Sequence, residues 1–209
     1  MKKYGNSFHS GSKSYAAGKV PIWLHVDEFY TAGCTLNGQL EDSVIPVGTP
    51  VYVPKVGGEA VVLETFEVVG AVTAEGTSLV LKSVSGAVVP RKDLIVGKIN
   101  ASTGVASKAA KLPAVTSVGT GDHAGEITFT ITANTYGALS DGDILYMISE
   151  AGSNKQMLYP TGLLYEDVEI GNEGATGTVV TKGQVLANRI AAVPAVFKPY
   201  LTNITFVNE

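Results

Sequence analysis

The densest set of side chains that could do chemistry is Glu166-Asp167-Val168-Glu169. In a strand, carboxylates two residues apart point to the same side, as a glycosidase pair or a calcium site requires. Asn172 and Glu173 follow closely, and such a polar run is more typical of a solvated turn. Asp141-Gly142-Asp143 is likewise a turn signal, because the rest of a calcium-binding loop is missing.

The remaining candidate groups are scattered along the chain. His9, His25 and His123 are far apart, and none belongs to the close pair that builds zinc sites. Cys34 is the single cysteine, which excludes an internal disulfide and a cysteine-based metal cage and favours a small buried apolar residue. The sequence contains neither a Gly-x-Ser-x-Gly elbow nor a phosphate-binding loop. These observations predict a protein that is not an enzyme and has no cofactor.

Charge and hydropathy exclude further classes. The chain has 15 basic and 19 acidic residues, and the basic ones are dispersed apart from Lys2-Lys3 and Arg91-Lys92, so no nucleic-acid partner is expected. No apolar run approaches the roughly 18 residues of a membrane span. The N-terminal residues lack the apolar stretch of a signal peptide, so we expect synthesis in the cytoplasm without export by that route.

The pattern of the sequence is that of a β protein. Glycine accounts for 24 of 209 residues, and only 16% of residues are charged, which favours many turns and a surface of small and hydroxylated side chains. The clearest alternation is Glu126–Thr132, which places Ile127, Phe129 and Ile131 on one face. We predict an all-β fold with a compact barrel-like or sandwich-like body, short helical turns and an extended N-terminal arm.

The chain is predicted to divide into three segments: an arm at 1–19, a β lobe at 20–112 and a second β lobe at 113–209. The boundary rests on residues 100–112, whose Ala, Ser and Lys content favours a linker, with a short helix as the alternative. The three prolines between Val44 and Pro54 predict an edge strand or a bent connector there. Further strands are predicted at 20–26, 60–72, 77–84, 144–148, 163–170, 178–187 and 202–207, with a turn of helix at 196–201.

Residues 1–19 are rich in Gly, Ser, Lys and Tyr and have no periodicity. Such a segment buries too little surface to order itself, so either a partner or its own domain must order it. Its aromatic side chains, Tyr4, Phe8 and Tyr15, and its basic ones, such as Lys2, Lys3 and Lys13, are the candidate anchors.

The C-terminal third, Leu139–Val207, resembles bacteriophage head decoration proteins. The resemblance is carried by Gly162-Leu163-Leu164-Tyr165-Glu166-Asp167-Val168-Glu169, by the turn Gly174–Gly177, by Thr178–Val180, by Lys182–Ile190 and by the closing Tyr200–Val207. The earlier stretch Pro46–Tyr52 is similar to tail-fibre and head-fibre proteins of phages that infect gut bacteria.

The resemblance implies a structural virion protein on the outer capsid surface, either a head fibre or a decoration protein, made in the host cytoplasm. It implies the major capsid protein as partner, docked by Lys2, Lys3, Tyr4, Phe8, Lys13 and Tyr15. It also implies a homotrimer, with Ile127, Phe129, Ile131 and Phe206 as candidate interface residues. No membrane partner is expected.

A carbohydrate-binding or adhesin module on a cell or virion surface is the alternative. Such a module exposes aromatic side chains on one face of a sheet. Trp23, Tyr136 and Tyr159 are the candidates for that role, with buried packing as the competing interpretation for each.

Overall fold

The computed structural model describes residues 21–30, 34–36, 43–54, 59–85, 88–120, 123–170 and 175–208. The fold is all-β, which confirms the predicted class. Helical structure in these ranges consists of two 3₁₀ turns, Ala187–Arg189 and Lys198–Tyr200, and the second lies inside the predicted helical turn. The predicted arm, residues 1–19, lies outside the described residues.

The strands are short and follow one another closely. In chain order they are β1 (Trp23–Phe29), β2 (Cys34–Leu36), β3 (Ser43–Ile45), β4 (Pro50–Tyr52), β5 (Val61–Val62), β6 (Thr65–Val68), β7 (Ser78–Ser83), β8 (Ile95–Asn100), β9 (Val105–Lys111), β10 (Val115–Val118), β11 (Glu126–Thr130), β12 (Ile144–Met147), β13 (Gly152–Gln156), β14 (Gly162–Leu164), β15 (Val168–Ile170), β16 (Ala175–Gly177), β17 (Val179–Leu186) and β18 (Ile204–Val207).

One sheet has six strands in the order β1-β17-β14-β4-β5, with β18 added parallel to β17. Its central strand β14 is buried on both faces, because neighbouring residues of this strand enter different apolar clusters. Leu163 packs with Val180 and Val185, whereas Leu164 packs with Val179. The two-stranded ladders β2–β16 and β3–β15 contribute to the cluster that contains Leu164.

The other large sheet has eight strands in the order β10-β11-β7-β6-β12-β8-β9-β13. Alternating residues such as Leu79, Leu81 and Phe129 fill a single core. Only residues 112–114 connect β9, near one end of the sheet, to β10 at the other end. Consecutive Cα atoms are about 3.8 Å apart, so this connection forces the sheet to curl into an open barrel.

Residues 100–112 were predicted to be a linker, and this prediction is wrong. They form the turn after β8 and then β9, which pairs with β8 and with β13. Small residues are needed here because the two strands approach closely: a Cβ on Gly97 would lie 2.5 Å from the carbonyl oxygen of Lys108. The Ala-rich composition therefore reflects tight strand packing, which sequence alone did not distinguish from a connector.

Of the two expectations for the prolines between Val44 and Pro54, an edge strand is wrong for Pro50, whereas Pro46 and Pro54 lie in the connections before and after β4. β4 lies inside the six-stranded sheet, between β14 and β5. Pro50 is tolerated because it is the first residue of its strand. It needs no N–H there, and its carbonyl oxygen accepts a hydrogen bond from the N–H of Leu63 at 2.8 Å.

The two large sheets do not correspond to the predicted lobes 20–112 and 113–209. The six-stranded sheet joins β1, β4 and β5 to β14, β17 and β18. The eight-stranded sheet joins β6 to β9 with β10 to β13. Each sheet therefore contains strands from both sides of residue 112, because hydrogen-bonded pairing over long sequence separations organises this fold.

Candidate functional site

The acidic motif at 166–169 holds the chain together locally. Asp167 follows β14, and its Oδ1 accepts a hydrogen bond from the N–H of Val47 at 2.7 Å. Glu169 lies in β15 opposite Val44. Asp167 therefore fixes the turn that precedes β4 and joins it to the connection that follows β14. Across the described part of the chain, no group of three or more His, Cys, Asp or Glu side chains is arranged to hold a metal ion.

Asp141-Gly142-Asp143 is the predicted turn. Asp141 Oδ1 accepts from the N–H of Gly70 at 2.7 Å, and Asp143 Oδ2 accepts from the N–H of Ser140 at 2.7 Å. Lys98 Nζ lies 2.6 Å from Asp143 Oδ2, and this hydrogen bond lowers the pKa of the Asp143 carboxyl. Both carboxylates thus stabilise the loop that precedes β12.

The histidines and the cysteine do not converge. His25 Nε2 lies 2.7 Å from Asp27 Oδ1 on β1, and His123 Nδ1 lies 3.0 Å from Glu126 Oε2 beside β11, in different sheets. His9 lies outside the described residues. Cys34 is buried in an apolar cluster, and its burial raises the pKa of the thiol, which disfavours the reactive thiolate.

Glu64 is a buried carboxylate that the sequence analysis did not identify. Its oxygens accept hydrogen bonds from the N–H groups of Thr65 (2.8 Å), Ser85 (3.3 Å) and Val88 (3.2 Å), and from the Ser85 hydroxyl. These contacts fasten the loop after β7 to the start of β6. The only sequence signal was one acidic residue within the apolar run 60–66. A carboxylate with this many donors has a structural role.

Two of the three aromatic candidates for sugar binding are buried. The indole N–H of Trp23 donates to the carbonyl oxygen of Tyr165 at 2.9 Å, and the hydroxyl of Tyr136 donates to the carbonyl oxygen of Ala110 at 3.3 Å. Burial raises the pKa of Tyr136. The packing interpretation therefore holds for Trp23 and Tyr136.

Tyr159 has a different environment. Its ring stacks on that of Tyr200, with the ring centroids 4.3 Å apart and the planes tilted by 38°. Its hydroxyl donates to Oε1 of Gln156, and Gly104 lies against the ring. Tyr200 is 43% exposed, so the pair forms an aromatic surface at the start of the C-terminal segment. Tyr200 was not among the predicted candidates.

The predicted interface residues divide into two groups. Ile127, Phe129 and Ile131 are buried in the core of this chain, so their side chains are not free for a subunit contact. Phe206 is half-buried on β18, where Lys198 Nζ lies 5.2 Å from the centroid of its ring. A contact near β11 therefore has to use other residues. The proposed capsid-binding residues, from Lys2 to Tyr15, lie outside the described residues.

The described ranges contain no helix that is long and apolar enough to cross a membrane. Comparison of the chain with known proteins found no matching family model, no matching curated protein and no matching solved structure.

Proposed function

We propose that this chain is a structural virion protein that binds the outer surface of a phage capsid as a head fibre or head decoration protein. The observation that carries the proposal is that three of the segments responsible for the sequence resemblance contribute neighbouring strands to one sheet. Gly162–Glu169 supplies β14 and the start of β15, Lys182–Ile190 contains most of β17, and Tyr200–Val207 ends in β18.

The pairing of these segments is direct. Leu163 on β14 lies opposite Val180 on β17, and Gly183 on β17 lies opposite Ile204 on β18. Three parts of the motif, which is spread over residues 162–207, therefore lie side by side in one sheet.

The roles of the polar side chains also favour a structural protein. Asp167 and Glu64 each bind backbone N–H groups, which fixes loops. A protein that reinforces a shell contributes through many copies and through the surface that each copy buries. Its partner in the proposal is the major capsid protein, and its location is the virion.

Two experiments, on virions and on bare capsids, test the proposal. Virions from the phage that encodes this protein should contain the protein, as measured by mass spectrometry of purified particles. The purified chain should also add to bare capsids, whereas deletion of residues 1–19 should abolish addition and leave the melting curve of the body unchanged. Absence of the chain from virions would refute the proposed function. Full occupancy by the truncated chain would instead place the docking surface on the β body.

Charge reversal offers a matched control for the arm. Lys2→Glu with Lys3→Glu should weaken capsid addition, because these lysines are the proposed contacts to an acidic shell. Lys92→Glu with Lys111→Glu changes the net charge equally on exposed positions of the body and should leave addition unchanged. Equal loss in both variants would indicate a general charge effect and contradict docking through the arm.

The proposal includes a homotrimer, which the resemblance implies. Sedimentation or light scattering should then give three times the chain mass of 21.7 kDa. A monodisperse monomer at high concentration, with no trimers on capsids, would refute this part of the proposal.

Carbohydrate binding is the second candidate, and the Tyr159–Tyr200 pair is the observation that favours it. Exposed tyrosine rings offer an apolar face and a polar hydroxyl, which suits a sugar ring. Tyr200→Ala should abolish any signal on a glycan array, while Tyr165→Ala, at an exposed tyrosine that contacts Phe29, should retain it. A glycan signal that survives Tyr200→Ala would exclude this surface.

A further inference from the structure

β10 is an end strand of the eight-stranded sheet, and all four of its residues are exposed. Val115 is 41% exposed and Val118 is 61% exposed, and Thr116 and Ser117 complete a strand without charge. Among the described residues, no strand pairs with the outer edge of β10. Such an edge presents unpaired N–H and C=O groups together with β-branched side chains, which favours the addition of another strand.

The other end strands of the two large sheets differ from β10. β18, beside β17, is also uncharged and four residues long, but only one of its residues is exposed. β1 has exposed Asp27 and Glu28 and three irregularities in its register. β13 carries Lys155 and a residue with positive φ, Asn154. β5 is only two residues long. Charge, irregular backbone and short length are the usual protections of sheet edges. β10 has one register shift, between Val115 and Ser117, but it lacks a charged residue and is twice as long as β5.

β10 is also held in position before any partner arrives. Val115 pairs with Phe129 and Val118 pairs with Ile127, and both of these β11 residues are in the core. The Thr116 hydroxyl oxygen accepts from the N–H of Thr130 at 3.1 Å, and the two threonine hydroxyl groups lie 3.1 Å apart. Because the strand is already ordered, pairing at its outer edge costs little further conformational entropy.

We propose that the outer edge of β10 pairs with β10 of a second copy of this chain, antiparallel across a two-fold axis. Such an axis places each strand against an identical strand, so a self-pairing strand must avoid like charges opposite each other. The sequence Val-Thr-Ser-Val meets this condition in every register, since it contains no charged residue. β1 and β13 would instead bring like charges close together.

The first test is the mass of the isolated protein as a function of concentration. Val118→Lys should weaken self-association at least tenfold, because it adds a lysine to an uncharged edge strand and edge lysines oppose the addition of another strand. Val44→Lys is the matched control: Val44 is 60% exposed, but it lies on β3 in a different ladder, so association should be unchanged. If the proposed trimer also forms, the wild-type assembly should contain six chains, and Val118→Lys should reduce it to three. Without the trimer, the wild-type assembly should contain two chains, and Val118→Lys should give a monomer.

The second test traps the pairing covalently. Val115→Cys combined with Val118→Cys should give a reducible species of twice 21.7 kDa on mild oxidation. The two positions are about 10 Å apart along one strand, which is too far for a disulfide within the chain. The pair Val44→Cys with Val84→Cys has matching exposures of 60% and 41% and should not link two chains.

The proposal is overturned if the wild-type chain is monomeric at every concentration, if Val118→Lys and Val44→Lys behave alike, or if both cysteine pairs cross-link equally. These measurements use the isolated chain, so their failure leaves the capsid experiments unaffected. Capture of a different protein by this edge, without self-association, would also overturn it.

Discussion

Replacement of Glu64 by alanine tests most directly whether the buried carboxylate holds the fold together. The substitution removes the acceptor for the N–H groups of Thr65 and Val88, whose bonds to Glu64 are buried, and for the N–H and hydroxyl of Ser85 at a partly buried position. A buried donor without an acceptor costs about 1–3 kcal/mol. Two such N–H groups, with partial rescue by water near Ser85, predict a loss of about 3–5 kcal/mol.

That loss is a large fraction of the roughly 5–15 kcal/mol that stabilises a typical domain. With a urea m value of about 2–3 kcal/mol/M, the unfolding midpoint should fall by about 1–2 M. Glu64→Gln keeps the shape and one acceptor oxygen but turns an NH₂ group toward the donors, so it should be destabilising by a smaller amount.

Glu75→Ala is the control, because Glu75 is an exposed residue in the turn before β7. Surface substitutions of this kind change the free energy of unfolding by about 0.5 kcal/mol or less. If the midpoint of Glu64→Ala lies as close to wild type as that of Glu75→Ala, the loop after β7 does not depend on this carboxylate and the argument fails.

Three further predictions concern packing and pH. Gly162→Ala should cost about 1–3 kcal/mol, because its Cβ would lie 2.2 Å from the carbonyl oxygen of Val180, and an unchanged melting temperature would contradict this close approach. The hydrogen bond from Lys98 lowers the pKa of Asp143, so its stabilising contribution is present above the unfolded carboxyl pKa of about 4 and is lost as pH falls through the lower folded value. Asp143→Asn should therefore flatten the acid limb of urea midpoints measured between pH 7 and pH 2, and curves parallel to wild type would disprove the coupling. Burial raises the pKa of Tyr136, so its contribution is complete below the unfolded pKa of about 10 and declines at higher pH. Tyr136→Phe should show a shallower loss of stability between pH 10 and pH 12, which the same titration measures, and equal slopes would argue against the buried phenol as the cause.

The alternating segment around Ile127 shows what a period-two pattern can predict. It predicted a strand, and β11 covers Glu126–Thr130 with Ile127 and Phe129 buried. The pattern states only that one face is covered. The pattern does not show whether this face is buried by the same chain or by a second subunit. For this reason, an interface was predicted where the structure has a core.

Residues 97–112 show why composition alone misassigned a strand pair. Alanine and glycine are ordinarily weak strand formers, so Ala106 and Ala109 favoured a linker. In the fold they are buried beside Gly97, where the backbones of β8 and β9 come too close for larger side chains. The requirement for small residues arises from pairing between strands, which a single segment of sequence does not reveal.

The polar residues show the same limit for the candidate site. Asp167, Asp141 and Glu64 each accept a hydrogen bond from a backbone N–H of a segment that is distant in sequence. The position of acidic residues in turns was predictable from Gly-Asp and Asn-Gly signals, and the sequence also shows no catalytic motif. The hydrogen-bond partner of each carboxylate was not predictable from the sequence, because it depends on which loops the sheet topology brings together.

The distribution of these features over the two sheets has a consequence for assembly. Three of the segments that carry the resemblance contribute β14, β17 and β18 to the six-stranded sheet, whereas the uncharged edge of β10 belongs to the eight-stranded sheet. A contact between copies through β10 would therefore leave the six-stranded sheet available to a different partner. A protein that covers a shell needs both kinds of contact, one to the shell and one to its neighbours. Because the two surfaces are built from different strands, Val118→Lys and deletion of residues 1–19 should act independently, and the double variant should show the sum of the two defects.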